Sequence, residues 1–137
     1  MTSSTSEFSE TVLGFDYGEK KIGIAVGQTL TGTATPICVL KNRQQKPDWE
    51  SIEKLLIEWK PDRLIVGVPL TMFDERQQMT EHAERFMRQL SGRFQLPVEG
   101  IDERLSTREA GDRIKSLDNI DAVAAQVILE TWLSSQE

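Results

Sequence analysis

The feature that most restricts the fold is a pair of short apolar runs near the start of the chain, separated by a charged turn. Residues 12–18 (VLGFDYG) and 22–27 (IGIAVG) are each long enough for one buried strand. The turn at 19–21 (EKK) between them predicts an antiparallel hairpin. Because the first run contains Asp16 near its end, the pattern places a carboxylate at the end of a core strand.

The carboxylate of Asp16 has two interpretations. An acidic group at the end of a core strand loses hydration, which is costly unless a cation pairs with it. The glycines around it allow backbone to approach closely and leave room for a metal ion or a phosphate. Turn aspartates also accept hydrogen bonds from turn amides, so a purely structural role stays open at this point.

Composition favours one ordinary globular domain. The chain has 137 residues, of which 38% are hydrophobic and 28% charged. We expect a flexible tail at 1–10 and a single domain at 11–137. No apolar run approaches the roughly 20 residues that cross a bilayer, so no membrane partner is expected.

Charge and cysteine usage narrow the chemistry. The net charge of −6 argues against broad, non-specific binding to nucleic acid, but it allows a local basic face or a site where metal ions supply positive charge. The single cysteine, Cys38, excludes an internal disulfide and fits a reducing cytoplasm. A histidine-assisted nucleophile would have to use His82, the one histidine.

The remaining pattern alternates strands and helices. Asp48 is positioned to cap the first helix and Pro61 to end it. This order predicts an α/β fold, with a mixed five-stranded sheet and helices on both faces. The further predicted elements are strands at 36–40, 64–68 and 98–101 and helices at 77–91, from 106–109 onward, and at 119–133.

Two other acidic positions could join Asp16 at the sheet edge. Asp102 and Glu103 follow the last strand, and strand alternation allows only one of them to share a face with Asp16. Asp121 lies about 20° from the apolar Ile128 on a helical wheel, where capping alone explains it poorly. Converging carboxylates raise one another's pKa unless a cation lies among them, and Mg²⁺ prefers such oxygen ligands.

Five segments together resemble the YqgF/RuvX family, whose members are often described as candidate pre-16S rRNA nucleases or Holliday-junction-resolvase-like proteins. The resemblance covers nearly everything from Leu13 to Leu133. Its carriers are 15–18 (FDYG), 22–27 (IGIAVG), 65–70 (IVGVPL), 102–110 (DERLSTREA) and 120–125 (IDAVAA).

The resemblance implies a ribonuclease-H-like fold, a cytoplasmic location and a role in maturing the 5′ end of pre-16S rRNA. It also implies that Asp16, Glu103 and Asp121 form the catalytic, metal-binding set, and it selects Glu103 over Asp102. The expected cofactor is Mg²⁺ or Mn²⁺, as two ions that flank the scissile phosphate.

The chain departs from the family pattern in two places. Residues 71–74 (TMFD) stand where relatives usually have Asn-Met-Asp-Gly. Either Asp74 replaces the usual aspartate one place out of register, or the role of that aspartate is lost. The segment between 109 and 121 is shorter than usual and lacks part of a basic loop. The expected substrate-binding cations are Lys20, Lys21, Arg104 and Arg108. Further candidates for phosphate contact lie on or just after the second helix, although most of these charges are expected to form a solvated face; they are Arg85, Arg88 and Arg93.

Three classes of function remain open from the sequence. The first is a metal-dependent endonuclease acting on structured RNA, with branched DNA as the alternative substrate. The second is a non-catalytic factor that binds RNA or a ribosome-assembly partner, which the acidic charge and the shortened loop favour. The third, a relative of actin-like ATPases and sugar kinases, would need a second domain. We expect a monomer or a weak homodimer.

Overall fold

The computed structural model describes residues 10–18, 20–44, 46–68, 78–102 and 120–135, with the backbone alone at 78–79 and 120–121. Within these residues the chain forms five strands and three helices. In order they are β1 (Thr11–Tyr17), β2 (Lys21–Gln28), β3 (Thr33–Lys41), α1 (Trp49–Trp59), β4 (Arg63–Val68), α2 (Gln78–Phe94), β5 (Val98–Asp102) and α3 (Ile120–Ser135).

The five strands form one mixed sheet in the order β3-β2-β1-β4-β5. The predicted hairpin is confirmed, because β1 pairs antiparallel with β2, which in turn pairs antiparallel with β3. On its other side β1 pairs parallel with β4, and β4 pairs parallel with β5. The carboxyl ends of β1, β4 and β5 therefore lie at one edge of the sheet.

Helices cover both faces of the sheet, as predicted. One core joins β1, β2 and β4 to α1 and α2, and it includes the fully buried Phe15, Ile52 and Phe86. The other core joins the opposite face to α3 through Val12, Ile65, Leu129 and other side chains. Successive residues of β1 alternate between the two cores, which is the pattern of a strand buried on both sides.

Helix α1 begins where the sequence predicts. The Asp48 carboxylate accepts hydrogen bonds from the Ser51 backbone N–H (3.2 Å) and the Ser51 hydroxyl (2.8 Å). At the other end Lys60 adopts a left-handed conformation, with φ of 47°, and its N–H donates to the Leu56 carbonyl. The helix thus ends directly before Pro61, which disfavours helical geometry in the residue ahead of it.

We expect Asp48→Ala to destabilise the fold by about 1 kcal/mol at neutral pH, since the first turn of α1 loses its cap. The hydrogen bonds from Ser51 hold the pKa of the Asp48 carboxyl below its usual value. The charged cap therefore stabilises fully above the unfolded pKa of about 3.9, and its contribution is lost as the pH falls through the lower folded pKa. Urea unfolding of both proteins across that range measures the difference. Asp48→Asn is the control, because asparagine caps without titrating. A gap between wild type and Asp48→Ala that stayed constant into strong acid would contradict this account.

Three elements extend at least two residues beyond one end of the range predicted from the sequence. Strand β3 starts at Thr33 and not at 36, and its pairing with β2 shifts register between Ile24 and Ala25, which accommodates Pro36 at the sheet edge. Helix α2 continues to Phe94, which packs against the first core. Helix α3 continues to Ser135. The helix predicted from 106–109 lies outside the described residues.

The carboxyl half of α3 is anchored by a polar contact across the sheet. Arg63 of β4 forms ion pairs with Glu10 (Nε to Oε1, 3.2 Å) and with Glu99 of β5. The hydrogen bond to Glu10 is the main reason why the pKa of Arg63 rises above its usual value. The Trp132 indole N–H donates to Glu99 Oε1 at 3.1 Å. These contacts hold one end of α3 over β4 and β5.

No helix among the described parts of the chain combines the length and the hydropathy needed to cross a bilayer.

Candidate metal and nucleic-acid site

The carboxylate of Asp16 lies on the face of the sheet that α3 covers. Val12 packs in the α3 core, and a Cβ added at Gly14 would come within 2.4 Å of the Leu129 side chain. Because side chains alternate along a strand, Asp16 shares this face with Val12 and Gly14. Asp16 is half-buried and is the second-last residue of β1.

The positions on either side of Asp16 in the sheet are glycines. Gly23 is its direct partner on β2. On β4, Gly67 follows Val66, the partner of Phe15, so it is level with Asp16. Neither neighbour carries a side chain, and the sheet surface beside the carboxylate is therefore formed by backbone alone.

Asp102 lies on the opposite face from Asp16. A Cβ added at Gly100 would be 3.1 Å from the Met87 side chain, which places that position towards α2. Asp102 is two residues further along β5 and shares the same side. It lines a cavity of about 410 Å³ together with Glu84 and Arg88 of α2. The sequence left open which of Asp102 and Glu103 shares a face with Asp16. Strand alternation excludes Asp102 from that face.

Helix α3 approaches the level of Asp16 as it is followed towards its N-terminus. Leu133 contacts the position of Gly27, which pairs with Val12, and Leu129 contacts Gly14 further along β1. Asp121 belongs to the first turn of this helix. Its helical position is within about 20° of Ile128 and Trp132, both buried against the sheet.

Two of the four predicted substrate-binding cations are described. Lys20 and Lys21 are exposed at the hairpin turn. Lys21 is two residues before Gly23 on β2, so it lies on the α3 face as a diagonal neighbour of Asp16. Asn42 stabilises the turn through two hydrogen bonds. Its backbone N–H donates to the Lys20 carbonyl, and its side-chain amide N–H donates to the Gly18 carbonyl.

The remaining predicted site residues are not described. Glu103, Arg104, Arg108 and the altered segment 71–74 lie outside the described residues, as does the side chain of Asp121. Among the side chains that are described, no three acidic, histidine or cysteine groups come together as a metal site. The set Asp16, Glu103 and Asp121 therefore stays a prediction, of which the structure places Asp16 and the helical position of Asp121.

The structure contains a basic groove on the α1/α2 face that the sequence analysis did not predict, although it had named two of the cations, Arg85 and Arg93, as candidates for phosphate contact. Its cations, among them Lys46, Arg85 and Arg93, come from α2 and from the segment before α1. The signal was present as a helical stripe, because His82, Arg85, Gln89 and Arg93 recur every three or four residues. The Lys46 side of the groove could not be recognised, since it comes from a loop.

Comparison with known families and proteins gives consistent matches over almost the whole chain. A family model described as "RuvX: Holliday junction resolvase" matches residues 10–135. Proteins named "Putative pre-16S rRNA nuclease" are similar along nearly their full length. The one from Pseudomonas putida is 49% identical over 133 residues, covering 90% of this chain and 94% of that protein. The one from Hydrogenovibrio crunogenus is 46% identical over 132 residues, covering 96% and 98%.

Solved structures show the same fold at low sequence identity. The fowlpox virus Holliday junction resolvase matches with a TM-score of 0.59 and 14% identity, covering 93% of this chain and 99% of that one. Thermus thermophilus RuvC in complex with a Holliday junction substrate matches with a TM-score of 0.54 and 17% identity, covering 92% and 94%. The predicted ribonuclease-H-like fold, with its mixed five-stranded sheet, is confirmed.

Proposed function

Because this chain belongs to the RuvX family of Holliday-junction-resolvase proteins, we propose that it is a metal-dependent endonuclease that processes the 5′ end of pre-16S rRNA during ribosome biogenesis. The observation that carries the proposal is the position of Asp16. Its half-buried carboxylate lies near the carboxyl end of a central strand, where ligands of such sheets collect. The RNA substrate is inferred from the names of relatives that this chain matches along nearly their full length.

The residues present suit a hard divalent cation. Asp16 offers oxygen ligands, and Glu103 and Asp121 would complete a set that holds Mg²⁺ or Mn²⁺, as two ions. The only histidine and the only cysteine, His82 and Cys38, lie on the α1/α2 side of the sheet, away from the Asp16 face. A metal that requires nitrogen or sulfur ligands therefore has no donor from these two residues at the proposed site.

Bound there, the ions would lower the pKa of a water nucleophile and stabilise the leaving oxygen of the phosphodiester. The protein's own contribution is to hold the carboxylate of Asp16 rigidly at a strand end and to position the substrate. Lys21 lies on the same face, and its proposed role is to bind a phosphate near the scissile one. Because Gly23 and Gly67 carry no side chains, the substrate strand can approach the Asp16 carboxylate closely.

The direct test is cleavage of a pre-16S rRNA transcript that retains its 5′ extension. We expect removal of that extension in the presence of Mg²⁺ or Mn²⁺, at a defined position mapped by primer extension. Chelation by EDTA should abolish the product, and re-addition of the metal should restore it. A product of equal yield in EDTA would contradict metal dependence, and an intact transcript under all conditions would contradict the proposed activity.

A branched DNA junction is the second candidate substrate, favoured by the description of the family as Holliday junction resolvases. A four-way junction and the RNA transcript, compared at equal concentration and salt, separate the two. Symmetric nicking of the junction would also call for a dimer, since a two-fold substrate is matched by a two-fold enzyme. Faster cleavage of the junction than of the RNA would replace the RNA assignment with a resolvase.

A pre-16S rRNA substrate implies a cytoplasmic protein, and the free thiol of Cys38 suits that reducing compartment.

A further inference from the structure

A groove of about 310 Å³ runs along the α1/α2 face, on the side of the sheet opposite to Asp16. Its lining side chains are polar or cationic along α2, and aromatic where α2 meets the start of α1. They include Tyr17, Lys46, Trp49, His82, Arg85 and Arg93.

The charge of this groove is opposite to that of the whole chain. Lys46, Arg85 and Arg93 are cationic, and none of the described lining residues is acidic, although the chain carries a net charge of −6. The other flank of α2 is different, because Arg88 there shares its cavity with Glu84 and Asp102. Cations concentrated in a concave surface raise the local concentration of anions.

The guanidinium of Arg93 is held in position. Its Cζ lies 4.3 Å from the centroid of the Trp49 ring, and that ring is stacked on Phe86 at a centroid distance of 5.6 Å. A guanidinium stacked on an aromatic face keeps its planar N–H edge for hydrogen bonds to phosphate oxygens. Trp49 itself packs against the core, so it serves as the support for Arg93 and not as a platform for bases.

Tyr17 connects the groove to the edge where Asp16 lies. The two residues are consecutive in β1 and their side chains lie on opposite faces, so the groove begins directly across the strand end from the carboxylate. The Tyr17 ring packs on Phe86, with centroids 4.9 Å apart, which fixes its position at the mouth of the groove. A ligand strand that passes over this edge of the sheet would therefore contact both faces.

We propose that this groove binds the phosphodiester backbone of a nucleic-acid strand that continues over the sheet edge from the Asp16 site. Arg85 and Arg93 contact phosphates, and Lys46 adds charge from the opposite wall. The inference rests on the proposed function for the identity of the strand, but the groove's binding can be measured without any cleavage.

The test measures binding of a labelled oligouridine and a labelled oligodeoxythymidine by fluorescence anisotropy in EDTA, over a range of salt concentrations. We expect Arg85→Gln and Arg93→Gln each to raise the Kd about fivefold for both strands, because each removes one charge-assisted contact. Each should also reduce the salt slope by about 0.7. Arg88→Gln, on the other flank of α2, is the matched control and should stay within about twofold of wild type.

Thermal melting of each variant separates lost contact from lost folding, and Arg85 is exposed, so its replacement should leave the Tm unchanged. Three results would overturn the inference: no binding by wild type at low salt, an Arg85→Gln/Arg93→Gln double variant that binds as wild type does, or a loss confined to RNA, which backbone contacts cannot produce. The activity is judged separately. If the arginine variants bind more weakly but wild type cleaves no substrate, the groove is supported and the nuclease activity is rejected. If wild type cleaves the RNA but the variants bind as wild type does, the activity is supported and the groove is rejected.

Discussion

Replacing Asp16 by asparagine is expected to reduce the rate of RNA cleavage by about a thousandfold while the protein stays folded. The change removes one negative charge and one metal-ligating oxygen, and a loss of this size corresponds to about 4 kcal/mol of transition-state stabilisation. An asparagine side chain has nearly the same shape as the aspartate at this half-buried position, so we expect the surrounding packing to be preserved. Single-turnover cleavage of the pre-16S transcript measures the chemical step, and calorimetric titration with Mn²⁺ should show weaker metal binding in parallel.

The matched control for this experiment is Asp102→Asn. Asp102 stands at the same edge of the sheet, in β5, but on the α2 side. This variant makes the same chemical change on the face opposite to Asp16. We therefore expect its rate of cleavage to stay within about threefold of wild type. Equal loss in both variants would indicate general damage to the sheet edge, and full activity in Asp16→Asn would remove this carboxylate from the mechanism.

The second large effect concerns the contact between β1 and α3. We expect Gly14→Ala to destabilise the fold by about 2 kcal/mol, the usual range for forcing a methyl group into a packed core. The added Cβ would lie 2.4 Å from Leu129 Cγ, and Leu129 is fully buried, so the helix or its side chain must shift. Urea unfolding gives the change as a lower midpoint at an unchanged slope.

Two comparisons make the Gly14 prediction specific. Gly92 in α2 has nothing within 4 Å of an added Cβ, so Gly92→Ala should stabilise by about 0.5–1 kcal/mol through helix propensity. In the double variant Gly14→Ala/Leu129→Ala the new methyl occupies space that the leucine leaves. Its destabilisation should therefore be smaller than the sum of the two single changes. Strict additivity would show that the two positions do not compete for space.

The same contact links stability to function. If Gly14→Ala displaces α3, the first turn that carries Asp121 moves relative to Asp16, and metal binding should weaken even though no proposed ligand has changed. We therefore expect Gly14 to influence the geometry of the proposed site without touching it.

Much of the fold was accessible from local patterns. The hairpin followed from two apolar runs around a charged turn, and the cap at Asp48 and the end before Pro61 followed from side-chain and backbone rules that need no tertiary information. Boundaries were less accessible, because they depend on partners distant in sequence. Phe94 stays helical since it packs on the first core, and β3 reaches back to Thr33 since β2 offers pairing groups there.

The sequence by itself determined that one carboxylate lies near the end of a core strand and that the sheet is mixed. With one histidine and one cysteine in the chain, it also restricted any proposed metal site to mainly oxygen ligands. These follow from periodicity and composition, which are local properties of the chain. Only the tertiary structure decided which face each group occupies. Asp102 is separated from Asp16 by strand register, and Arg85, Arg93 and Lys46 meet in one groove because α2 packs beside the segment that precedes α1. Such neighbourhoods arise from the packing of elements far apart in sequence.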